Sequence, residues 1–179
     1  MTTHDATSGA RLTQDPKETA EADLVDQLRR EDFILASIPR MMFQKVLHLG
    51  CADGTLTARL PGADVLGVAP PSRPLPSACS PGAAQKRLTF ASCDVNHLQL
   101  NPATAGPFNL VVITGSLDAA AGASFSIAWT ALAQLTSSGS YIIHDRTAQP
   151  GHPTLPFRRI DQLIYRLENK LQTLELFVA

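Results

Sequence analysis

The chain has 179 residues, 44% of them apolar and 17% charged, and 15 Lys+Arg against 16 Asp+Glu leave a net charge of −1. That length suits one domain rather than two. The composition excludes a highly charged disordered chain, and nothing in it points to a nucleic acid.

Cys51, Cys79 and Cys93 have no Cys-x-x-Cys spacing, so neither a disulfide framework nor a zinc knuckle is expected. His4, His97 and His152 lie in loop-like stretches without metal spacing, and no metal is expected. The start has no apolar signal core, and no run approaches the roughly 18 residues of a membrane span. The expectation is a cytoplasmic protein that does not bind membranes.

Residues 1–20 hold few large apolar groups and read as a flexible arm. Residues 21–179 then form a single domain. From Glu21 to Ile38, the residues Leu24, Val25, Leu28, Leu35 and Ile38 recur at helical spacing, and Pro39 stops the helix. Lys45 to Gly50 is a short apolar run that breaks at glycine, and the pattern to Leu60 reads strand, tight turn, helix. Ala63 to Val68, Arg87 to Cys93, Phe108 to Ile113 and Tyr141 to Ile143 repeat the strand signal. Such unalternating runs suit strands covered on both faces.

Pro70, Pro71, Pro74, Pro76 and Pro81 predict a loop after the second strand, because proline removes a donor and clashes inside a helix. Leu117 to Leu135, with Phe125, Ala128, Leu132 and Leu135 at helical spacing, predicts a helix with Trp129 in the core. After Pro156, the positions Phe157, Ile160, Ile164, Leu167 and Leu171 predict a second amphipathic helix. Its solvated face would carry Arg158, Arg159, Asp161, Arg166 and Glu168. Leu174 to Val178 reads as a last strand. The alternation implies an α/β architecture, a Rossmann-like, doubly wound, mainly parallel sheet.

In such a sheet ligands lie outside the carboxyl ends of the strands, where the strand order reverses beside the first strand. The loop there is Gly50-Cys51-Ala52-Asp53-Gly54-Thr55. A nicotinamide or flavin fingerprint would need glycine at 50, 52 and 55, and Ala52 and Thr55 fail it. Read at every second residue, Gly50, Ala52 and Gly54 let the backbone pass close beneath an adenosyl group.

The segment Val46 to Thr57 resembles the first motif of the class I S-adenosylmethionine-dependent methyltransferases. Ala63 to Pro70 is similar to the segment in which an acidic residue holds the cofactor ribose, Phe90 to Val95 to the strand end whose Asp meets adenine, and Pro107 to Leu117 to the motif beside substrate. Ala131 to Ile143 is similar to the helix, turn and strand that follow. The resemblance implies S-adenosylmethionine as cofactor, held by Gly50, Cys51, Ala52, Asp53, Gly54, Ala69, Asp94, Val95 and Thr114. His144 and Asp145, after the fifth strand, are candidates for a general base. The alternative is that Asp145 caps a turn and His144 is half-buried. Cys51 and Cys93 read as small buried fillers.

The chain departs from the family pattern at several positions. His48 stands where the family has Asp or Glu, Ala69 where it has the ribose carboxylate, and Asn109 where it has Asp. The family's sheet also carries an antiparallel seventh strand, and this sequence reads one strand short of it. Either the last strand pairs directly with the fifth, or a protein partner, such as a second copy in a homodimer, completes the sheet edge. Two functions fit: methyl transfer to a small-molecule acceptor, favoured by the glycine turn and Asp94, or a catalytically inactive methyltransferase fold used for binding, scaffolding or regulation.

Overall fold

The computed structural model describes residues 16–76, 86–94, 97, 105–114, 123–147, 157–167 and 170–179. In chain order the elements are α1 (Pro16–Ser37), β1 (Lys45–Leu49), α2 (Thr55–Arg59), β2 (Asp64–Ala69), β3 (Arg87–Ser92), β4 (Phe108–Thr114), α3 (Ala123–Leu135), β5 (Thr136–Thr147), β6 (Arg158–Leu167) and β7 (Lys170–Val178). The strands form one sheet in the order β3-β2-β1-β4-β5-β7-β6. β1 to β5 are parallel, and β7 runs antiparallel between β5 and β6.

Each apolar run divides its residues between two cores, because successive side chains of a strand leave on opposite faces. Leu47, Leu49, Val111, Ile113, Ile142 and Phe177 pack with Trp129, Leu132 and Leu135 of α3. Val46, Val65, Leu110, Val112, Ile143 and Leu174 pack with Ile34 of α1 and Ile38 just past its end, and with Leu56 of α2 and its C-cap Leu60. Trp129 is in the core, as expected.

Several boundaries differ from the sequence reading. α1 begins at Pro16, inside the expected arm, and proline is tolerated there because a helix start leaves its N–H unpaired anyway. β5 is longer than Tyr141–Ile143 and contains both His144 and Asp145. The expected helix of residues 157–171 is instead strand β6 with the start of β7. In β6 the apolar residues Ile160, Leu163 and Ile164 are exposed while Tyr165 is buried, so helical spacing there marks no buried helical stripe. A register shift between Arg159 and Asp161 adds to the irregular pattern, and ladder pairing along Lys170–Val178 decides the conformation. The expected shortfall of one strand is therefore not seen, and the last strand pairs directly with the fifth. Residues 70–76 form no helix, as the prolines predict, while Cys79, Pro81 and Val95 and the start of the expected helix at 117–122 lie outside the described residues.

Ile142 is fully buried in the same core as Trp129, the single tryptophan. Ile142→Ala should lower the free energy of unfolding by about 2–5 kcal/mol, from lost transfer energy plus a cavity. Urea denaturation followed by Trp129 fluorescence measures it.

Candidate functional site

The order of the sheet reverses between β1 and β4, since the chain winds from β1 to β2 and β3 on one side and from β4 to β5 on the other. The turn leaving β1 therefore opens onto the crevice at the carboxyl edge. Gly50 has φ +88°, Ala52 +39° and Gly54 +86°. A Cβ on Gly50 would lie 1.9 Å from the Thr114 carbonyl oxygen, so both the left-handed backbone and the close approach of β4 require glycine. The N–H groups of Gly50 and Cys51 donate to the Val68 carbonyl at 2.9 and 3.3 Å, and that of Gly54 to the Cys51 carbonyl at 2.7 Å. Asp53 Oδ1 accepts from the Thr55 N–H at 3.0 Å. Ala52 and Asp53 are left exposed at the rim.

His48 lies buried under this turn. Its Nδ1 is 2.7 Å from the Thr57 hydroxyl on α2, and its Nε2 is 3.0 Å from the Thr114 hydroxyl on β4. The Thr114 hydroxyl donates to the Gly50 carbonyl at 3.0 Å. One neutral ring satisfies the whole chain: Thr57 donates to Nδ1, Nε2–H donates to Thr114, and Thr114 donates to the turn. Burial, and then the nearby positive charge of Arg30, push the His48 pKa down to about 3, so the ring is neutral at ordinary pH. The residue standing in the family's acidic position thus works as an uncharged bridge between α2, β4 and the glycine turn.

Asp145 sits on the same face, opposite Thr114 in the β4–β5 register. Arg30 of α1 donates to its Oδ2, and the Tyr165 hydroxyl of β6 donates to its Oδ1 at 2.7 Å. Burial and then Asp145 push the Tyr165 pKa up, so its proton stays on the hydroxyl. Burial alone would lower the Arg30 pKa, but Asp145 outweighs it and the net shift is upward. Asp145 is fully buried and already accepts from two donors, so it ties α1 to the far side of the sheet. His144 leaves the strand on the other face, edge-on to Trp129 with ring centroids 5.4 Å apart. The two expected general-base candidates therefore do not share a site.

On the β2 side, Ala69 is fully buried and its carbonyl accepts the Cys93 N–H at 3.0 Å. The carboxylate that the resemblance asks for is not supplied at this position. Asp94 is exposed just past the end of β3, the next strand along the carboxyl edge. Phe90 and Pro76 pack against Gly54, where a Cβ would meet them at 2.9 and 3.0 Å. Both Cys51 and Cys93 are buried free thiols, and burial pushes the Cys51 thiol up to about 11, which leaves it protonated.

Sheet order, the antiparallel β7 beside β5 and the left-handed turn after β1 coincide in one known architecture. The fold is that of the class I S-adenosylmethionine-dependent methyltransferases. The N-methyltransferase NodS of Bradyrhizobium japonicum WM9 matches with a TM-score of 0.65 at 14% identity, over 87% of this chain and 97% of its own. The 1,6-didemethyltoxoflavin-N1-methyltransferase of Burkholderia thailandensis matches at 0.63 and 15% identity, over 94% and 92%. The magnesium protoporphyrin IX methyltransferase of Synechocystis PCC 6803, with bound S-adenosylhomocysteine, matches at 0.57 and 15% identity, over 89% and 86%. No protein-family model and no curated protein matches the sequence.

Sequence reasoning placed the methyltransferase turn, Thr114 and Asp94 at one sheet edge, but it did not find Thr57, Arg30 or Tyr165. Arg30 and Asp145 are separated by 115 positions, and no local pattern links them. His48 in an acid's place was the usable signal, because a buried ring needs two hydrogen-bond partners.

The His48 bridge has a pH signature. Below its ordinary pKa of 6.5 the unfolded chain takes a proton that the folded chain refuses down to about pH 3. Stability should therefore fall as pH is lowered through that window, with this ring contributing at most about 1.4 kcal/mol per pH unit. In urea titrations at a series of pH values, His48→Gln should show a shallower fall than wild type.

Proposed function

We propose that this chain binds S-adenosylmethionine at the turn Gly50–Gly54 and passes the methyl group to a small-molecule acceptor beside the ends of β4 and β5. The observation that carries the reading is the left-handed turn at the strand-order reversal, braced from below by His48 and Thr114. The exposed groups fit the cofactor: Ala52 and Asp53 on the turn and the Asp94 carboxylate one strand beyond β2, with Thr114 bracing the turn beside them. Asp94 would accept from the adenosine, and the turn would border the cofactor's methionine end, with Cys51 and Ala69 as packing beneath it. Likeness to methyltransferases that act on varied acceptors supports methyl transfer as the reaction class.

The cofactor supplies a methyl group already activated on a sulfonium, so the protein's work is orientation and exclusion of water. A base is needed only for an acceptor that arrives protonated. Asp145, committed to Arg30 and Tyr165, is not assigned that task.

One observation favours a second reading, an inactive binding or scaffolding module. Ala69 removes a carboxylate that would make charge-assisted hydrogen bonds to the ribose, each worth about 1.5–3 kcal/mol.

Calorimetric titration with S-adenosylmethionine and S-adenosylhomocysteine separates the two readings. The methyltransferase reading expects binding in the micromolar range, weakened about tenfold or more by Asp94→Asn, a surface change that spares the core. Absence of binding at millimolar ligand would sink it in favour of the module.

A further inference from the structure

The α3 face of the sheet holds a charged cluster that the glycine turn does not use. Arg146 Nε on β5 donates to Glu175 Oε2 on β7 at 2.9 Å, and Arg159 Nη1 on β6 donates to Glu175 Oε1 at 2.8 Å. Two guanidinium groups thus share one carboxylate, leaving one positive charge in surplus. The side chains of Arg146 and Glu175 are only 7% and 5% exposed. Burial pushes the Glu175 carboxyl up, but the hydrogen bonds from both arginines outweigh it, and the group is held below its usual range and ionised. Nη1 of Arg146 is buried and has no hydrogen-bond partner among the described residues.

Position gives this orphaned donor its meaning. Asp145 pairs with Thr114, the last residue of β4, so Arg146 lies one step past the end of β4 at the carboxyl edge. It projects to the α3 face, opposite Asp145, because neighbours on a strand alternate. A buried guanidinium N–H without an acceptor is costly, whereas the cluster's extra charge, on the half-exposed Arg159, is solvated. An oxyanion at Nη1 would remove that penalty. The planar, always-charged guanidinium matches carboxylate and phosphate oxygens.

We infer that Arg146 is an oxyanion-binding residue, and that the methyl acceptor carries a carboxylate or phosphate group which Nη1 receives. The acceptor part of this inference rests on the methyltransferase reading, whereas the anion site itself stands on the cluster geometry alone.

The test is thermal unfolding of the full chain in sodium phosphate and in sodium benzoate, against sodium chloride at equal ionic strength. At about ten times the dissociation constant, the matching anion should raise the wild-type midpoint by roughly 3–5 °C. Benzoate alone would mark a carboxylate acceptor, and phosphate alone a phosphorylated one. Arg146→Lys keeps a cation for Glu175 but removes Nη1, and should lose the response. The double change Arg146→Met with Glu175→Gln, which leaves no buried lone charge, should lose it too and decides the matter where the lysine variant does not fold. A wild type indifferent to both anions at tens of millimolar, or variants that respond as wild type does, would overturn the site. The methyltransferase reading fails separately, through absence of S-adenosylhomocysteine binding with the anion response intact.

Discussion

Gly50 stands where it does because it has no Cβ. The atom would fall 1.9 Å from the backbone oxygen of Thr114, and this closeness lets one hydroxyl, that of Thr114, hold the turn by its Gly50 carbonyl. The hydroxyl is itself held by His48, and His48 by Thr57, so β1, β4, α2 and the turn are fixed by a single run of hydrogen bonds. A charged ring could not close that run, since protonated imidazole donates from both nitrogens and the Thr57 hydroxyl would then lose its acceptor. Neutrality is what the arrangement requires, and burial together with the charge on Arg30 enforces it.

The same carboxyl edge is fastened a second time, farther along the sheet. Arg30 and Tyr165 converge on Asp145 from α1 and β6, and Phe33 stacks on Tyr165 with ring centroids 5.0 Å apart. Breaking such a buried pair by removing one partner typically costs about 3–5 kcal/mol, because the survivor is left charged and desolvated. The Arg30 side chain is 30% exposed, which moderates that cost for Asp145 substitutions. The helix is thereby held over the strands that border the crevice, while the opposite face keeps its own polar cluster around Glu175. The two faces of β5 divide the labour: Asp145 fastens the fold, and Arg146, paired through Nε with Glu175, keeps at Nη1 a donor without an acceptor among the described residues.

Much of the parallel half of the sheet was legible in the sequence, because strands buried on both faces leave continuous apolar runs such as Val46 to Leu49 and Phe108 to Ile113. The glycine turn was legible for a local reason, its backbone conformation. β6 was not. An edge strand with a register shift and exposed Ile160, Leu163 and Ile164 carries no reliable period of two, and its three-and-four spacing imitates a helix. Ladder pairing with β7, a nonlocal term, overrides that local pattern. The site was half legible for the same reason. Thr114 and Asp94 follow from strand ends, whereas the commitment of Asp145 to Arg30 and the role of Thr57 depend on contacts that only the assembled fold brings about.

The chain departs from the pattern it resembles at the end of β1, where His48 replaces an acid, at Asn109 on β4, and at the end of β2, where Ala69 lies buried. It keeps the glycine turn, braced here by His48. The central claim, that this braced turn is a cofactor cradle, is tested most directly by amide spectra of ¹⁵N-labelled protein titrated with S-adenosylhomocysteine. Saturable shifts concentrated at Ala52, Asp53, Gly54, Asp94 and Thr114 are the predicted result. Unmoved amides at these positions with saturating or millimolar ligand would contradict the claim.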